Sequence, residues 1–291
     1  MVADGRAIDG EPTPTYGGIM QIRIGYDLGF EVPQPTAMQL MLYVHPDRAG
    51  TLRQPERIVV EPAVEVEDFV DWFGNRVARI LAPAGHLRIR YDNVIDDAGR
   101  PDVPIDGLRL TPVHEMPAEC WRYLFASRYC EVDRMVHVAW DLFGQTPESW
   151  QRVQAVLDWV HANVAFGYQF ARPTKTAFDV YTERQGVCRD FQHLAITFLR
   201  ALNIPARYVT GYLGDIGVPA GATPMDFSAW AEAYVGDAWR TIDARHNRPR
   251  TGRVVMARGR DAVDVALTTS FGAAILQDFT VWTDELPAAA A

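Results

Sequence analysis

The chain reads as an α+β protein, a small antiparallel β-sandwich followed by a mixed helical and stranded core. Two observations carry this reading. Between Met20 and Asp96, short stretches such as "QLMLYVH", "RIVVEP", "VARILAP" and "LRIRYDNV" alternate apolar and polar residues between Pro/Gly/Asp turns, the pattern of strands with one buried face. Beyond about residue 107 the period changes: "TPESWQRVQAVLDWVHANV" places Trp150, Val153, Leu157, Val160 and Val164 three and four apart, as an amphipathic helix requires.

Each element has a local reason. In "DWFGNRV" a Gly-Asn pair between apolar flanks marks a hairpin. The polar, turn-rich "DDAGRPDVPIDG" is the expected linker, giving a flexible extension over 1–19, a β-rich domain over 20–100 and the α+β domain with C-terminal strands over 101–291. Thr146 is the expected N-cap of the "TPESW" helix, with Pro147 at its first position. In "GVCRDFQHLAITFLRALNIPARYV" an apolar stripe of Phe191, Leu194, Ala195, Phe198, Leu199 and Leu202 predicts a second helix, stopped by Asn203 and Pro205. Then "SAWAEAYVGDAWRTIDARHN" reads as two strands joined at Gly236-Asp237.

Composition narrows function. The chain has 28 Lys+Arg against 37 Asp+Glu, a net charge of −9, and no basic block to neutralise phosphates, so nucleic acid is not an expected partner. No run approaches the roughly 20 apolar residues of a membrane span, and the N-terminal "MVADGRAIDGEPTPTYGGI" has no secretory pattern. Met20, just before the first patterned strand, competes with Met1 as the natural start. Three cysteines, Cys120, Cys130 and Cys188, lack zinc-site spacing and suit a reducing cytoplasm. No cofactor or metal is expected.

Cys188 opens the helix that follows Gly186. A helix N-terminus carries about +0.5 charge and unpaired N–H groups, which favour a thiolate and suit an oxyanion. Against this stands the ordinary role of a free cysteine as a small core residue, the role expected of Cys120 and Cys130. Pairing Val235 with Ala238 across the hairpin puts Trp230 opposite Asp243, and makes Ser228 a same-face diagonal neighbour of Asp243 at about 7–8 Å. A histidine at 228 would be oriented by that carboxylate, the arrangement of a nucleophile triad.

Together "GVCRDFQHLAITFLRALNIPARYVTGYL", "SAWAEAYV...AWRTIDARHN" and "ARGRDAVDVALTTSFG" resemble the transglutaminase-like superfamily, in its bacterial branch of provisional cysteine proteases. "DWFGNRV" resembles that branch's N-terminal signature. The resemblance implies a papain-like α+β core after a β-rich domain, and hydrolysis or transfer at acyl or amide bonds of a peptide or protein. It implies Cys188 as nucleophile and Asp243 as orienting aspartate, while Ser228 stands where the family has its histidine. A serine hydroxyl cannot take and hold a proton near neutral pH as imidazole can.

His246 is the candidate substitute base, provided the chain bends after Asp243, since the extended register would put it on the face opposite Ser228. His193, about 140° round the helix from Cys188, is discounted; His45, His86, His114 and His137 are read as structural or surface residues. Tyr168, Tyr208 and Tyr212 are expected to pack, Arg189 to pair with Asp190, and Arg258 to Asp261 to form an ion-paired turn. The loop "GDIGVPAGATPMDF" is expected to border the cleft. Loss of the family histidine leaves a rival function open, a catalytically silent relative that binds an extended peptide or protein.

Overall fold

The computed structural model describes residues 19–102, 107–221 and 224–287. The expected linker therefore falls partly, and the expected N-terminal extension almost wholly, outside the described residues. The β-rich part begins with β1 (Met20–Val32) and β2 (Thr36–Leu40), then the single turn α1 (Pro46–Ala49), β3 (Val59–Glu61), β4 (Glu67–Val70), β5 (Arg76–Ala82) and β6 (Gly85–Asp97). β1 and β6 pair antiparallel along their full lengths, with Ile22 opposite Ile95, Tyr26 opposite Tyr91, Leu28 opposite Ile89 and Phe30 opposite Leu87. These residues recur at every second position and all are buried, while Arg23–Asp92 and Arg88–Asp27 pair across the other face.

The core follows as α2 (Val132–Phe143), α3 (Trp150–Asn163), the two-residue strand β7 (Ala165–Phe166), α4 (Ala177–Glu183), the two-residue strand β8 (Gln185–Gly186) and α5 (Cys188–Ala201). Then come β9 (Ala206–Leu213), β10 (Ser228–Val235), β11 (Ala238–Ile242) and β12 (Arg253–Gly259), paired in the order β11-β10-β9-β12. The last strands, β13 (Thr268–Ser270) and β14 (Ile275–Glu285), leave the core and join the sandwich, whose two sheets run β14-β1-β6-β3 and β13-β2-β5-β4. The β-rich unit is thus closed by both ends of the chain, so a boundary near residue 100 cuts through it rather than around it. Sequence order conceals this, because each strand satisfies its own period wherever it pairs.

Three local expectations change in detail. The α3 stripe is buried as read, but the helix starts three residues later than expected, with Ser149 as N-cap accepting the Gln151 N–H at 3.3 Å. Ser149 also bridges Arg109, which holds Pro147 and Glu148 outside the helix. α5 is buried on every side: Gln192, His193, Thr197 and Arg200 lie inside along with the apolar stripe. Arg200 reaches the carbonyls of Ala206, Phe125 and Arg260, so its charge is fully hydrogen-bonded to backbone. The helix ends at Leu202, and Asn203 takes a φ of +62°, a left-handed stop that asparagine tolerates. Gly186 is required for a different reason than a sharp turn: a Cβ there would lie 2.6 Å from the Cβ of Asp190.

The "DWFGNRV" hairpin forms between β4 and β5 and does more than reverse the chain. Asn75, fully buried, bonds Asp71 Oδ2 and the carbonyl of Arg258, and accepts the Arg258 N–H, each at 2.8 Å. It fastens the sandwich to β12. Tyr212, Phe227, Val254 and Met256 of the core sheet and its approach loop continue the sandwich's apolar interior. The two parts therefore share a packed boundary.

Candidate active site

Cys188 is the first residue of α5, and α5 packs under β10 and β9. Asp190 fixes this helix start. Its Oδ2 accepts the Val187 N–H at 3.0 Å, and its Oδ1 pairs with Arg189 at 3.1 Å, the local pairing expected from sequence. The Cys188 residue keeps partial exposure and lines a hollow of about 420 Å³ with Tyr129, Tyr208, Phe227, Ser228 and Val265. Its thiol behaves otherwise than the helix dipole alone predicts. Burial pushes it up to about 11, and the nearby Asp226 carboxylate adds to the rise. The Arg245 guanidinium and the amides of Arg189 and Ala229 draw it down by less. Desolvation outweighs the helix end.

The hairpin register is the one read from sequence. Val235 pairs with Ala238 and Ala231 with Ile242, and Gly236 and Asp237 take φ of 58° and 60°, a turn of the primed kind. Asp243 lies just beyond the last pair, buried, and its carboxylate is the most heavily bonded group of the site. Oδ1 accepts Gln192 Nε2 at 3.0 Å and the backbone N–H groups of Arg245 and His246 at 3.0 and 3.2 Å. Oδ2 accepts Arg253 Nη2 and contacts His246 Nδ1, each at 2.8 Å. Against the cost of burial, the Arg253 cation and the His246 contact hold this carboxyl well below the usual carboxylate range.

The bend on which His246 depends is present. A turn closes from Asp243 to Asn247, whose N–H donates to the Asp243 carbonyl at 2.9 Å. It swings the imidazole back onto its own aspartate. His246 lines a second hollow, about 110 Å³, with Ser228, Asp226, Tyr168, Arg245 and Arg250. Asp226, Phe227 and Ser228 belong to both hollows, so Ser228 stands between the space holding the thiol and the space holding the imidazole. Cys188 and Ser228 thus share one hollow and Ser228 and His246 the other, with His246 rather than residue 228 carrying the aspartate-bound imidazole.

His193 is excluded by position, though not as expected. It is fully buried, stacked on Tyr129 with ring centroids 5.0 Å apart, and its Nε2 accepts the Ala262 N–H. Burial drives its pKa well below the usual imidazole value. Asp261 bonds the N–H groups of Tyr129 and Val263, and Arg258 pairs with Asp47 and Glu232, which makes "RGRD" the structural tie expected of it. Cys120 and Cys130 are buried, and burial raises both thiols. Among the described residues, no cluster of three His, Cys, Asp or Glu side chains is placed to hold a metal ion. No helix among them is long and apolar enough to cross a membrane.

Sequence reasoning passed over several residues. Arg253 bridges Asp243 and Asp102, at 2.8 and 2.5 Å, and nothing in its strand announces that role. Gln192 has a signal: it lies one helical turn after Cys188 and couples α5 to Asp243 and to the Ala244 N–H. His161 Nδ1 contacts the Arg245 carbonyl at 2.9 Å, outside the thiol's hollow. Asp226, two residues before Ser228 and so of the same strand parity, is the acid of the site that the cleft-loop reading missed.

Several known proteins resemble this chain. The family model described as the transglutaminase-like superfamily matches residues 137–244, a span containing Cys188, Ser228 and Asp243. A crystal structure from Cytophaga hutchinsonii, of a protein carrying a provisional cysteine-protease name, superposes with a TM-score of 0.81 at 31% identity, covering 94% of this chain and 93% of that one. An uncharacterised Mycobacterium leprae protein is 25% identical over 217 residues, 72% of this chain and 77% of the relative. An uncharacterised Mycobacterium tuberculosis protein is 36% identical over 96 residues, 30% of this chain and 31% of its own length.

Proposed function

The chain belongs to the transglutaminase-like superfamily, and from that premise we propose that it is a cysteine hydrolase or acyltransferase working through a thioester at Cys188. Its substrate is an acyl or amide bond of a peptide or protein, and hydrolysis is preferred over cross-linking. The base is the His246–Asp243 pair, acting across the boundary that Ser228 occupies, directly or through an ordered water. One observation carries the reading: the imidazole bound to the family aspartate lines a hollow that shares Ser228 with the hollow of the thiol.

The physical sequence of events follows from the site. With its thiol pushed up to about 11, Cys188 rests protonated, so attack requires proton transfer to His246 as the carbonyl arrives. Asp243, anionic and locked by Gln192 and Arg253, keeps the His246 ring oriented and stabilises the imidazolium that forms. The N–H groups at the start of α5 face the developing oxyanion. Arg245, seated on the Phe166 ring at 4.0 Å, supplies a fixed positive charge beside the thiol.

The silent peptide-binding reading draws support from the same raised thiol and from Ser228. One experiment separates the two. Incubation with a peptide p-nitrophenyl ester, followed by intact-mass analysis, is expected to give an acyl adduct on Cys188. The adduct disappears in Cys188→Ala and forms about 10²–10⁴-fold more slowly in His246→Ala. An unmodified wild-type thiol after prolonged incubation at neutral pH would favour the silent module.

A further inference from the structure

Ser228 cannot take and return a proton as the family's histidine does, and a carboxyl, Asp226, lines the same two hollows. When ionised, its carboxylate raises the Cys188 thiol on one side and the Tyr168 phenol on the other. It approaches from the end of the loop that precedes β10. From the other elements, Cys188 of α5, Tyr168 of the turn after β7 and Arg245 of the turn after β11 surround it. Asp215, His246 and Arg250 complete the charged lining of the smaller hollow. Asp215 and Arg250 face each other at 3.6 Å, which leaves Arg245 as the cation acting on Asp226.

We propose that Asp226 is a catalytic residue, the acid that protonates the departing amine and the base that later activates water. This rests on the thioester reading of Cys188 and divides between two groups the work that a single histidine performs elsewhere. In acylation the Cys188 sulfur bonds the carbonyl carbon and its proton passes to His246. The C–N bond then breaks as the Asp226 carboxyl gives its proton to the nitrogen. In deacylation the Asp226 carboxylate takes a proton from water, whose oxygen bonds the carbonyl carbon. The C–S bond breaks, and the sulfur recovers the proton held on His246. The balance is one water consumed, one acid and one amine released.

Burial supports the assignment, because it raises the Asp226 carboxyl above its ordinary value while the Phe227 amide and Arg245 offset only part of that rise. A carboxyl so placed holds its proton closer to neutrality than an exposed one.

The test compares Asp226→Asn with wild type on an amide and on a p-nitrophenyl ester of the same acyl group, since p-nitrophenolate departs without a proton. The expected result is an ester-to-amide rate ratio that rises about 10²–10⁴-fold and is partly restored to the wild-type value in Asp226→Glu. The iodoacetamide labelling rate of Cys188 at pH 9 is expected to rise, by up to about tenfold, in Asp226→Asn, because a negative charge lining the thiol's hollow is gone. An unchanged ratio, or a labelling rate that does not move, overturns the role of Asp226. Absence of any ester adduct on wild-type Cys188 instead brings down the thioester reading itself.

Discussion

Asp243→Asn is the substitution whose consequences the structure specifies most fully. It keeps the shape of the side chain but removes the charge that Arg253 and His246 share, and it replaces one of two acceptor oxygens by an NH2 donor among neighbours that themselves donate. Arg253 is almost fully buried and, among the described residues, is left with only Asp102 as an ion-pair partner. Removing one member of a buried ion pair costs about 3–5 kcal/mol. At about 4 kcal/mol the unfolding equilibrium shifts about 10³-fold. For a chain of 291 residues, with an unfolding entropy of about 2.1 cal/mol/K per residue, the midpoint temperature falls by about 7 °C. The pH dependence has a fixed sign. The folded-state pKa is depressed, so the carboxylate's stabilisation is fully present above its unfolded value of about 3.9 and is lost as pH falls towards the folded value. The wild-type advantage over Asp243→Asn is therefore constant from pH 7 to about 5, and it shrinks by about 1 kcal/mol at pH 3. Urea unfolding followed by circular dichroism at pH 7, 5 and 3 measures this directly. Equal stabilities at pH 7, or a gap that widens on acidification, would refute the account of Asp243 as an ion-paired anchor.

Two further substitutions probe the site and its support. In a His246→Ala background, Ser228→His places an imidazole at the family position, beside the space the lost ring vacates. About 10- to 100-fold of the lost ester acylation is expected to return, and a double variant no faster than His246→Ala would show that position 228 does not address the thiol. Asn75→Ala removes three bonds, two of which tie the β4–β5 hairpin to β12 while the third braces the hairpin through Asp71. Leaving the Arg258 N–H and carbonyl unpaired is expected to cost about 2–4 kcal/mol, with hydrogen exchange accelerating first in β4, β5 and β12; a loss under about 0.5 kcal/mol would contradict the fastening role.

Much of the site was legible from the chain because its reasons are local. Apolar spacing and the Asn203 stop placed Cys188 at a helix start, and the Gly236-Asp237 turn fixed the pairing that brings Ser228 and Asp243 to one end of the hairpin. The placement of His246 was conditional in the sequence, since Asn247 and Pro249 permit a bend without requiring it. Asp243 supplies the requirement by capping that turn through the N–H groups of Arg245 and His246. The thiol's elevation was not legible at all. The helix-end argument predicts the opposite direction, and only the walls of the hollow, with Asp226 among them, reverse it.

The sequence by itself determined the α+β class, the period of each strand and helix, the hairpin register and the family signature around Cys188, because turn chemistry and side-chain periodicity act over a few residues. The tertiary structure decided that β13 and β14 close the sandwich, that Arg253 and Asp102 anchor Asp243, and which imidazole the aspartate holds. These are contacts between segments up to about 250 residues apart. Burial and charge make them favourable only once the chain has brought those segments together, so no local pattern records them.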